Sequence, residues 1–303
     1  MPDFSHSIPV IDAHHHLWDM ESNPYPELLN PRDDTHLGDY RAICKNYLVK
    51  DFKADLLGLN VIKSVHIEAG WAAEDWQSET RWVQKISNQG TYPHAIVANL
   101  DLLSNDVEHR LSVLTAYPNV RGVRFRFLSP SDLAKASIKN LPNPLENSKW
   151  CNNFKLLEAY NLSFDLQAPP QLMQMATDIA ATFPGIQFVL THAGLPLDRS
   201  DEGFTYWRQG MRSLASLDNV YVKISGLGMT EWKWTEDSLR PLILETINLF
   251  SPQKCMFGSN FPVDSLYATY ERLLTSIRKI IAEHSLDEQQ RILNGTASTF
   301  YRI

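Results

Sequence analysis

The sequence predicts an α/β protein with the (β/α)8 (TIM) barrel fold, in a single domain that covers residues 1–303 and carries long loops at its C-terminal face. Eight short β-rich runs alternate with helix-length segments, and such alternation is typical of βαβ units in a parallel sheet. The length also fits one barrel of eight units. An open doubly wound sheet is the alternative. No Gly-x-Gly-x-x-Gly turn follows any run, so a dinucleotide site has no support.

Each predicted strand is a short run rich in apolar, β-branched or aromatic residues. The eight runs are Pro9–His16, Val61–Ala69, His94–Asp101, Val120–Phe127, Leu162–Gln167, Ile186–His192, Val220–Ser225 and Lys254–Phe261. Segments with helical patterns lie between them. Examples are Asp75–Asn88, Asp106–Tyr117, Leu145–Asn161, Pro170–Phe183, Asp237–Phe250 and Ser265–Glu283. The repeated order of strand and helix is the order that a barrel requires.

Polar side chains occupy the C-terminal ends of these strands, mostly two residues apart. They are His14 and His16, His66 and Glu68, Asn99 and Asp101, Arg124 and Arg126, Asp165 and Gln167, Lys223 and Ser225, with His192 and Asn260 as single residues. Side chains at i and i+2 of a strand share a face, so we expect a polar ring at the rim where barrel enzymes carry their active sites. For Asp101, Asp165 and Ser225, bonding within a pair or capping of a helix is the alternative.

Three long segments that follow strands predict loops over this rim. They are Trp18–Leu48, Leu128–Pro144 and Gly226–Thr235. Long loops in compact domains are often functional. Tryptophans that follow strand ends are candidate walls of an apolar or sugar-like pocket, with loop packing as the alternative. They are Trp18, Trp71, Trp232 and Trp234.

Composition excludes several function classes. A net charge of −7 argues against a sequence-independent nucleic-acid surface, and no run of about 18 apolar residues predicts a membrane span. The N-terminus has no basic and apolar signal pattern, and the three scattered cysteines form neither a zinc nor a disulfide pattern. We therefore expect a soluble, cytoplasmic protein with a small-molecule substrate. Assembly into a homo-oligomer is left open.

Eight short motifs span nearly the whole chain in one order. They are Ile11–Trp18, Val65–Ala69, Glu79–Trp82, Arg121–Arg124, Phe164–Gln167, Thr191–Pro196, Val222–Leu227 and Phe257–Val263. Together they resemble the amidohydrolase-2 branch of the amidohydrolase superfamily, which comprises metal-dependent hydrolases of TIM-barrel fold. Nearer relatives in that branch include sugar-acid lactonases and the pyrone-dicarboxylate lactonase.

The resemblance implies roles for individual residues. His14, His16 and His192 would bind one divalent metal, commonly zinc, or act directly on a substrate carbonyl. Arg124 would hold a substrate carboxylate, because a guanidinium offers two parallel donors. We expect further substrate contacts from the remaining polar and aromatic rim residues. They are Trp18, Arg126, Gln167 and Lys223.

The sequence departs from the superfamily at the eighth strand, where Asn260 replaces the usual metal-binding aspartate. An amide cannot act as a general base, and it also removes a negative charge that would help to hold zinc. Gln167 likewise stands where many members place a histidine. A zinc held by three imidazoles and a site without metal are equally open. Glu68 and Asp264 are candidate bases, although Asp264 has the alternative role of capping a helix near Ser265.

The expected function is hydrolysis of a lactone, or cyclic ester, of a small polar or carboxylated organic acid. The site residues would polarise the carbonyl and stabilise the oxyanion that forms when water attacks. Three alternatives stay open. They are non-oxidative decarboxylation of an unsaturated or aromatic acid, metabolite binding without catalysis, and amide or imide hydrolysis. Asn260 counts against the first of these and favours the second.

Overall fold

Eight parallel strands form a nearly closed barrel in the computed structural model, which describes residues 8–90, 92–128 and 141–303. Each strand pairs with the next one in sequence. The strands are β1 Val10–His15, β2 Val61–Ile67, β3 Ala95–Asn99, β4 Val120–Arg124, β5 Ser163–Leu166, β6 Phe188–Leu190, β7 Val220–Ile224 and β8 Cys255–Phe257. The predicted (β/α)8 fold and its eight strands are confirmed, although each strand is shorter than its predicted run.

Helices alternate with the strands, and most of them lie on the outside of the barrel. They are α1 Pro26–Leu29, α2 Val49–Asp55, α3 Ser78–Ser87, α4 Val107–Thr115, α5 Ser148–Ala159, α6 Met173–Thr182, α7 Asp201–Ala215, α8 Leu227–Thr230, α9 Glu236–Phe250, α10 Tyr270–Ile281, α11 Leu286–Gln290 and α12 Thr296–Tyr301. Most of the predicted loop Leu128–Pro144, and the first seven residues, lie outside the described residues. Over the described ranges, no helix is long and apolar enough to cross a membrane.

Two apolar clusters stabilise the barrel. The outer cluster lies between the strands and the helices, where α10 buries Leu273, Ile277 and Ile281 at helical spacing. The inner cluster fills the barrel, and residues of α12 close its floor. Its members from α12 are Ala297, Phe300 and Tyr301. The floor is therefore apolar and closed, which leaves the C-terminal rim as the face that is open to a ligand.

Helix α10 begins later than the sequence predicts. Its N-cap is Thr269, whose side chain accepts a hydrogen bond from the amide of Arg272. Asp264 lies upstream, inside the short 3-10 helix Val263–Leu266. The alternative role of Asp264 as a cap of the helix near Ser265 is therefore wrong. Its side chain is engaged elsewhere, in the site described below.

The junction between β1 and β8 places the first histidines. The amide of Asn260 donates to the carbonyl of His14 over 2.7 Å, and that of His16 donates to the carbonyl of Phe261 over 2.7 Å. The pairing of β1 with β2 is irregular between Asp12 and His15. This irregularity breaks the strict alternation of faces, so the side chains of β1 near the rim do not simply alternate.

Candidate active site

A cavity of about 190 Å³ lies at the C-terminal ends of the strands. It is smaller than the sites that hold drug-sized ligands. Seven of the residues that the sequence singled out line it. They are His16, Trp18, Arg124, Arg126, Gln167, His192 and Asn260. The loop after β1 covers one side of the cavity, and α8 contributes Met229.

The two histidines at the cavity have their rings fixed through Nδ1. The Nδ1 of His16 donates to the carbonyl of Ile67 over 2.9 Å, so its neutral ring carries the lone pair on Nε2. Burial and the nearby Arg124 lower the pKa of His16 to about 3. The Nδ1 of His192 contacts Ser225 Oγ at 3.0 Å, and burial lowers its pKa well below the usual range. Both imidazoles are therefore neutral at pH 7.

Gly226 permits this placement of His192. Its φ is +59°, and a Cβ at this position would lie 2.5 Å from His192 Nδ1. Any other residue would combine left-handed backbone strain with a clash against the ring. The glycine of the Val222–Leu227 motif is thus explained by the close approach of the histidine.

His14 lies one layer deeper, against a buried ion pair. Its Nδ1 is 3.5 Å from Lys223 Nζ, and Lys223 in turn contacts Asp165 Oδ2 at 2.5 Å. The hydroxyl of Tyr301 donates to Asp165 over 2.9 Å. Burial lowers the pKa of Lys223 to about 8, although Asp165 opposes that shift. Burial, with Lys223 adding to it, holds the pKa of His14 well below its usual range.

Arg124 is held at the edge of the cavity by Glu68. Its Nε donates to Glu68 Oε1 and its Nη2 to the Glu68 carbonyl, each over 2.6 Å, and neither bond uses Nη1. Burial alone would raise the pKa of Glu68. The guanidiniums of Arg124 and Arg126 and the bond from the Gly70 amide nevertheless lower it to about 2. Glu68 is therefore an ionised partner of Arg124.

Carboxylates also pair with the other arginines that line the cavity. Arg126 Nη1 lies 3.0 Å from Glu27 Oε2, and Arg32 Nε lies 2.9 Å from Asp34 Oδ1. Together with the pair of Arg124 and Glu68, three guanidiniums at the cavity are each matched by a carboxylate. The arginine cluster consequently offers directional donors to a ligand, but it has little net positive charge.

Asn260 presents its amide to the cavity with Asp264 behind it. Its Nδ2 donates to Asp264 Oδ1 over 2.9 Å and to Met229 Sδ over 3.4 Å, which turns Oδ1 away from these partners. Asp264 also accepts the amide of Gly228 over 3.2 Å. Burial raises the pKa of Asp264 to about 7, while these hydrogen bonds oppose the rise. Asp264 thus orients Asn260.

The rings of the three predicted metal-binding histidines lie together, with the His14 centroid 5.1 Å from that of His16 and 4.5 Å from that of His192. Across the described ranges, no three histidine, cysteine, aspartate or glutamate side chains are arranged to hold a metal ion. A metal-binding histidine normally donates its other N–H to a carboxylate or carbonyl. His16 does so, but the Nδ1 of His14 faces the donor Lys223 instead. The zinc site that the resemblance implies stays a prediction.

The structure thus divides the predicted site residues into two layers. Seven line the cavity, and the other four lie directly behind it. These four are His14, Glu68, Lys223 and Asp264. His66 faces α3 instead of the cavity, where it meets Glu79. Sequence reasoning did not single out His36 and Tyr40, which line the cavity from the loop after β1. The length of that loop was the available signal.

Comparison with known proteins identifies the family. A family model described as Amidohydrolase matches residues 11–303. The chain belongs to the amidohydrolase family. It is 38% identical over 296 residues to the uncharacterized protein y4mH of Sinorhizobium fredii, with 98% of this chain and 99% of that protein covered. It is 25% identical over 313 residues to an L-fucono-1,5-lactonase of Burkholderia ambifaria, with 97% of this chain and 95% of that protein covered.

Solved structures share the fold of this amidohydrolase. An amidohydrolase from Burkholderia multivorans with bound HEPES superposes with a TM-score of 0.82 at 22% identity, covering 97% of this chain and 99% of that one. A probable 2-pyrone-4,6-dicarboxylic acid hydrolase from Acinetobacter baumannii superposes with a TM-score of 0.71 at 17% identity, and the match covers 97% of this chain and 99% of that one. A 5-carboxyvanillate decarboxylase from Sphingomonas paucimobilis superposes with a TM-score of 0.64 at 14% identity, and the match covers 98% of this chain and 99% of that one. These likenesses confirm the barrel.

Proposed function

We propose that this amidohydrolase opens a lactone of a small, hydroxylated organic acid. The observation that carries the proposal is the neutral imidazole of His16, whose Nε2 lone pair is left for the cavity beside the guanidinium of Arg124. A proton acceptor next to a strong donor is the pairing that water attack on an ester carbonyl needs. The lactonase named among the relatives supports the same reaction class.

Charge pairing at the cavity favours a neutral lactone over a carboxylated one. The guanidiniums of Arg32, Arg124 and Arg126 are each matched by a carboxylate, so an anionic substrate would meet no uncompensated positive charge there. Hydroxyl groups need directional partners instead, and Gln167 and Asn260 add amide groups at the cavity. The same pairing disfavours decarboxylation, because that substrate is also an acid.

The proposed reaction uses side chains of the chain alone. Arg124 Nη1 and the ring of His192 stabilise the developing oxyanion, and Asn260 Oδ1 orients the attacking water. His16 Nε2 takes one proton from that water as its oxygen bonds to the carbonyl carbon. The bond from that carbon to the ring oxygen then breaks, and the ring oxygen receives the proton as a hydroxyl. The products are a hydroxy acid in its carboxylate form and one released proton.

The buried partners keep these groups in place. Glu68 is ionised and committed to Arg124, and Asp264 lies behind Asn260 instead of at the cavity. Both therefore fit a supporting role better than that of the general base. Lys223 is wholly buried beneath His14 and adds positive charge under the site without contacting a ligand.

Turnover of a lactone panel tests the proposal. The released proton is followed with a pH indicator for five- and six-membered neutral hydroxylated lactones and for carboxylated lactones. We expect turnover of neutral lactones, and we expect His16→Gln to lower kcat by about 10²- to 10⁴-fold with little change in KM. His109→Gln, an exposed histidine on α4, is the matched control.

Several results would contradict parts of the proposal. Full activity of His16→Gln would remove the proposed proton acceptor, and exclusive turnover of carboxylated lactones would overturn the charge argument. Stoichiometric zinc with activity that a chelator abolishes would show that a metal takes part. Ligand binding without turnover of any lactone would instead favour a barrel that only binds a metabolite.

A further inference from the structure

A second buried polar cluster lies outside the barrel wall, behind the cavity. His66 on β2 and Glu79 on α3 are both buried, and His66 Nε2 is 3.5 Å from Glu79 Oε1. Neither residue lines the cavity, and the reaction proposed above uses neither. Glu79 opens the Glu79–Trp82 motif, to which the sequence assigned no role.

The cluster binds the second backbone amide beyond the end of each of two neighbouring strands. The Leu17 amide donates to His66 Nδ1 over 3.2 Å, and the Ala69 amide donates to Glu79 Oε1 over 2.7 Å. Since β1 ends at His15 and β2 at Ile67, neither amide belongs to the strands themselves. Buried amides beyond a strand need other acceptors, and the two side chains supply them.

Each of these amides directly follows a residue on which the proposed chemistry depends. Leu17 follows His16, the proposed proton acceptor. Ala69 follows Glu68, which holds Arg124 through both its carboxylate and its carbonyl. One imidazole and one carboxyl group therefore tie the end of β1, which carries the acceptor, to the end of β2, whose Glu68 holds the oxyanion donor Arg124 of β4.

We propose that His66 and Glu79 are a positioning pair that fixes His16 and Arg124 relative to each other. The inference rests on the proposed lactone hydrolysis for its catalytic consequence, whereas the fixing of the two strand ends is independent of it. Neither residue touches the substrate. Loss of the pair changes the distance between acceptor and donor, and a misplacement of about 1 Å can cost about 10²-fold in rate.

The ionisation of Glu79 gives the positioning pair a pH dependence of its own. Burial and the nearby Glu68 raise the pKa of Glu79 to about 8, so it is neutral at pH 7. The groups that face it are His66, Glu68, Arg124 and Arg126, with Tyr25 nearby. Ionisation above pH 8 places a second carboxylate beside Glu68 and draws the guanidiniums away from their neutral-pH positions.

Variants at position 79 separate positioning from simple stability. Glu79→Ala removes the acceptor, and we expect kcat to fall by up to about 10²-fold with a small change in KM. Glu79→Gln keeps an acceptor oxygen that cannot ionise, so it restores most of the lost rate. We expect wild-type activity to decline above pH 8, and Glu79→Gln should abolish that decline. Glu74→Gln, an exposed glutamate just before α3, is the matched control.

Hydrogen exchange at the amides of Leu17 and Ala69 provides a readout without substrate. Glu79→Ala must accelerate exchange at both amides while its urea midpoint shows a folded protein, and His66→Ala provides the same test if that variant does not fold. Unchanged exchange, or a wild-type kcat in a folded Glu79→Ala variant, overturns the positioning pair. If the wild type opens no lactone, the proposed function fails, and accelerated exchange at both amides still supports the pair.

Discussion

At the mouth of the barrel Arg124 is held by Glu68 and lines the cavity, whereas deeper inside Lys223 is held by Asp165 and is wholly buried. Arg124 is the last residue of β4 and Lys223 lies next to the end of β7, and both side chains face the barrel interior. The arginine keeps Nη1 for a ligand. The lysine meets Asp165, His14 and the ring of Tyr301, so its contacts are within the protein.

Depth along the strand accounts for this difference. Asp165 and Gln167 share a face of the fifth strand and lie two residues, or about 7 Å, apart. Gln167 lines the cavity, while Asp165 is covered from above by the site and from below by Tyr301. A polar residue one pleat deeper is thus structural, although the sequence pattern that predicts both is the same.

The largest effect is expected when the interior pair of Lys223 and Asp165 is broken. Lys223→Met leaves an unpaired carboxylate of Asp165 in the barrel, which should lower the free energy of unfolding by about 3–5 kcal/mol. Urea denaturation measures this loss. The double variant Lys223→Met/Asp165→Asn carries no unpaired charge and should recover most of the stability. If the single variant lost less than about 1 kcal/mol, the interior pair would be no more important than a surface pair.

Asp264 is a buried carboxyl group whose hydrogen-bond partners are amides, in contrast to Glu68 and Asp165, which pair with cations. The pKa of Asp264 is about 7 in the folded protein, above its unfolded value of 3.8. The folded state therefore binds the proton more tightly, and this contribution to stability is lost as pH rises from about 4 to about 7.

Asp264→Asn removes this pH dependence. The stability of the variant relative to the wild type should rise by a few kcal/mol between pH 4 and pH 8, because one pKa unit corresponds to about 1.4 kcal/mol. Urea midpoints at several pH values measure the trend. A parallel pH dependence in the two proteins would show that Asp264 ionises normally.

The smallest effect is expected at the outer edge of the mouth. Arg126 pairs with Glu27, and their side chains are 26% and 46% exposed. Solvent screens such a pair, so Glu27→Gln, which leaves the second contact of Arg126 intact (Nε to Glu68 Oε1, 3.6 Å), should change the free energy of unfolding by less than about 1 kcal/mol. The change in kcat/KM for a neutral lactone should stay below about tenfold. A gain confined to carboxylated lactones would instead assign Arg126, freed from Glu27, to an anionic substrate.

The extent of sequence prediction is clearest at β1 and β2. The alternation of β-rich runs and helices predicted every strand, and the family resemblance placed His16, His192 and Asn260 at one rim. Period-2 reasoning also put His66 on the same face as the site. The structure turns it toward Glu79 on α3, because Val65 and Ile67 take the interior positions of β2.

The sequence by itself determined the barrel, the family and the rim on which the polar residues gather, since these follow from local patterns of strand, helix and motif. Only the tertiary structure decided which polar residues reach the cavity and which lie behind it. Partners such as Asp165 with Lys223, or Glu68 with Arg124, are 58 and 56 residues apart in the sequence and are brought together by packing. Burial and charge pairing depend on such distant contacts, so no local pattern predicts them.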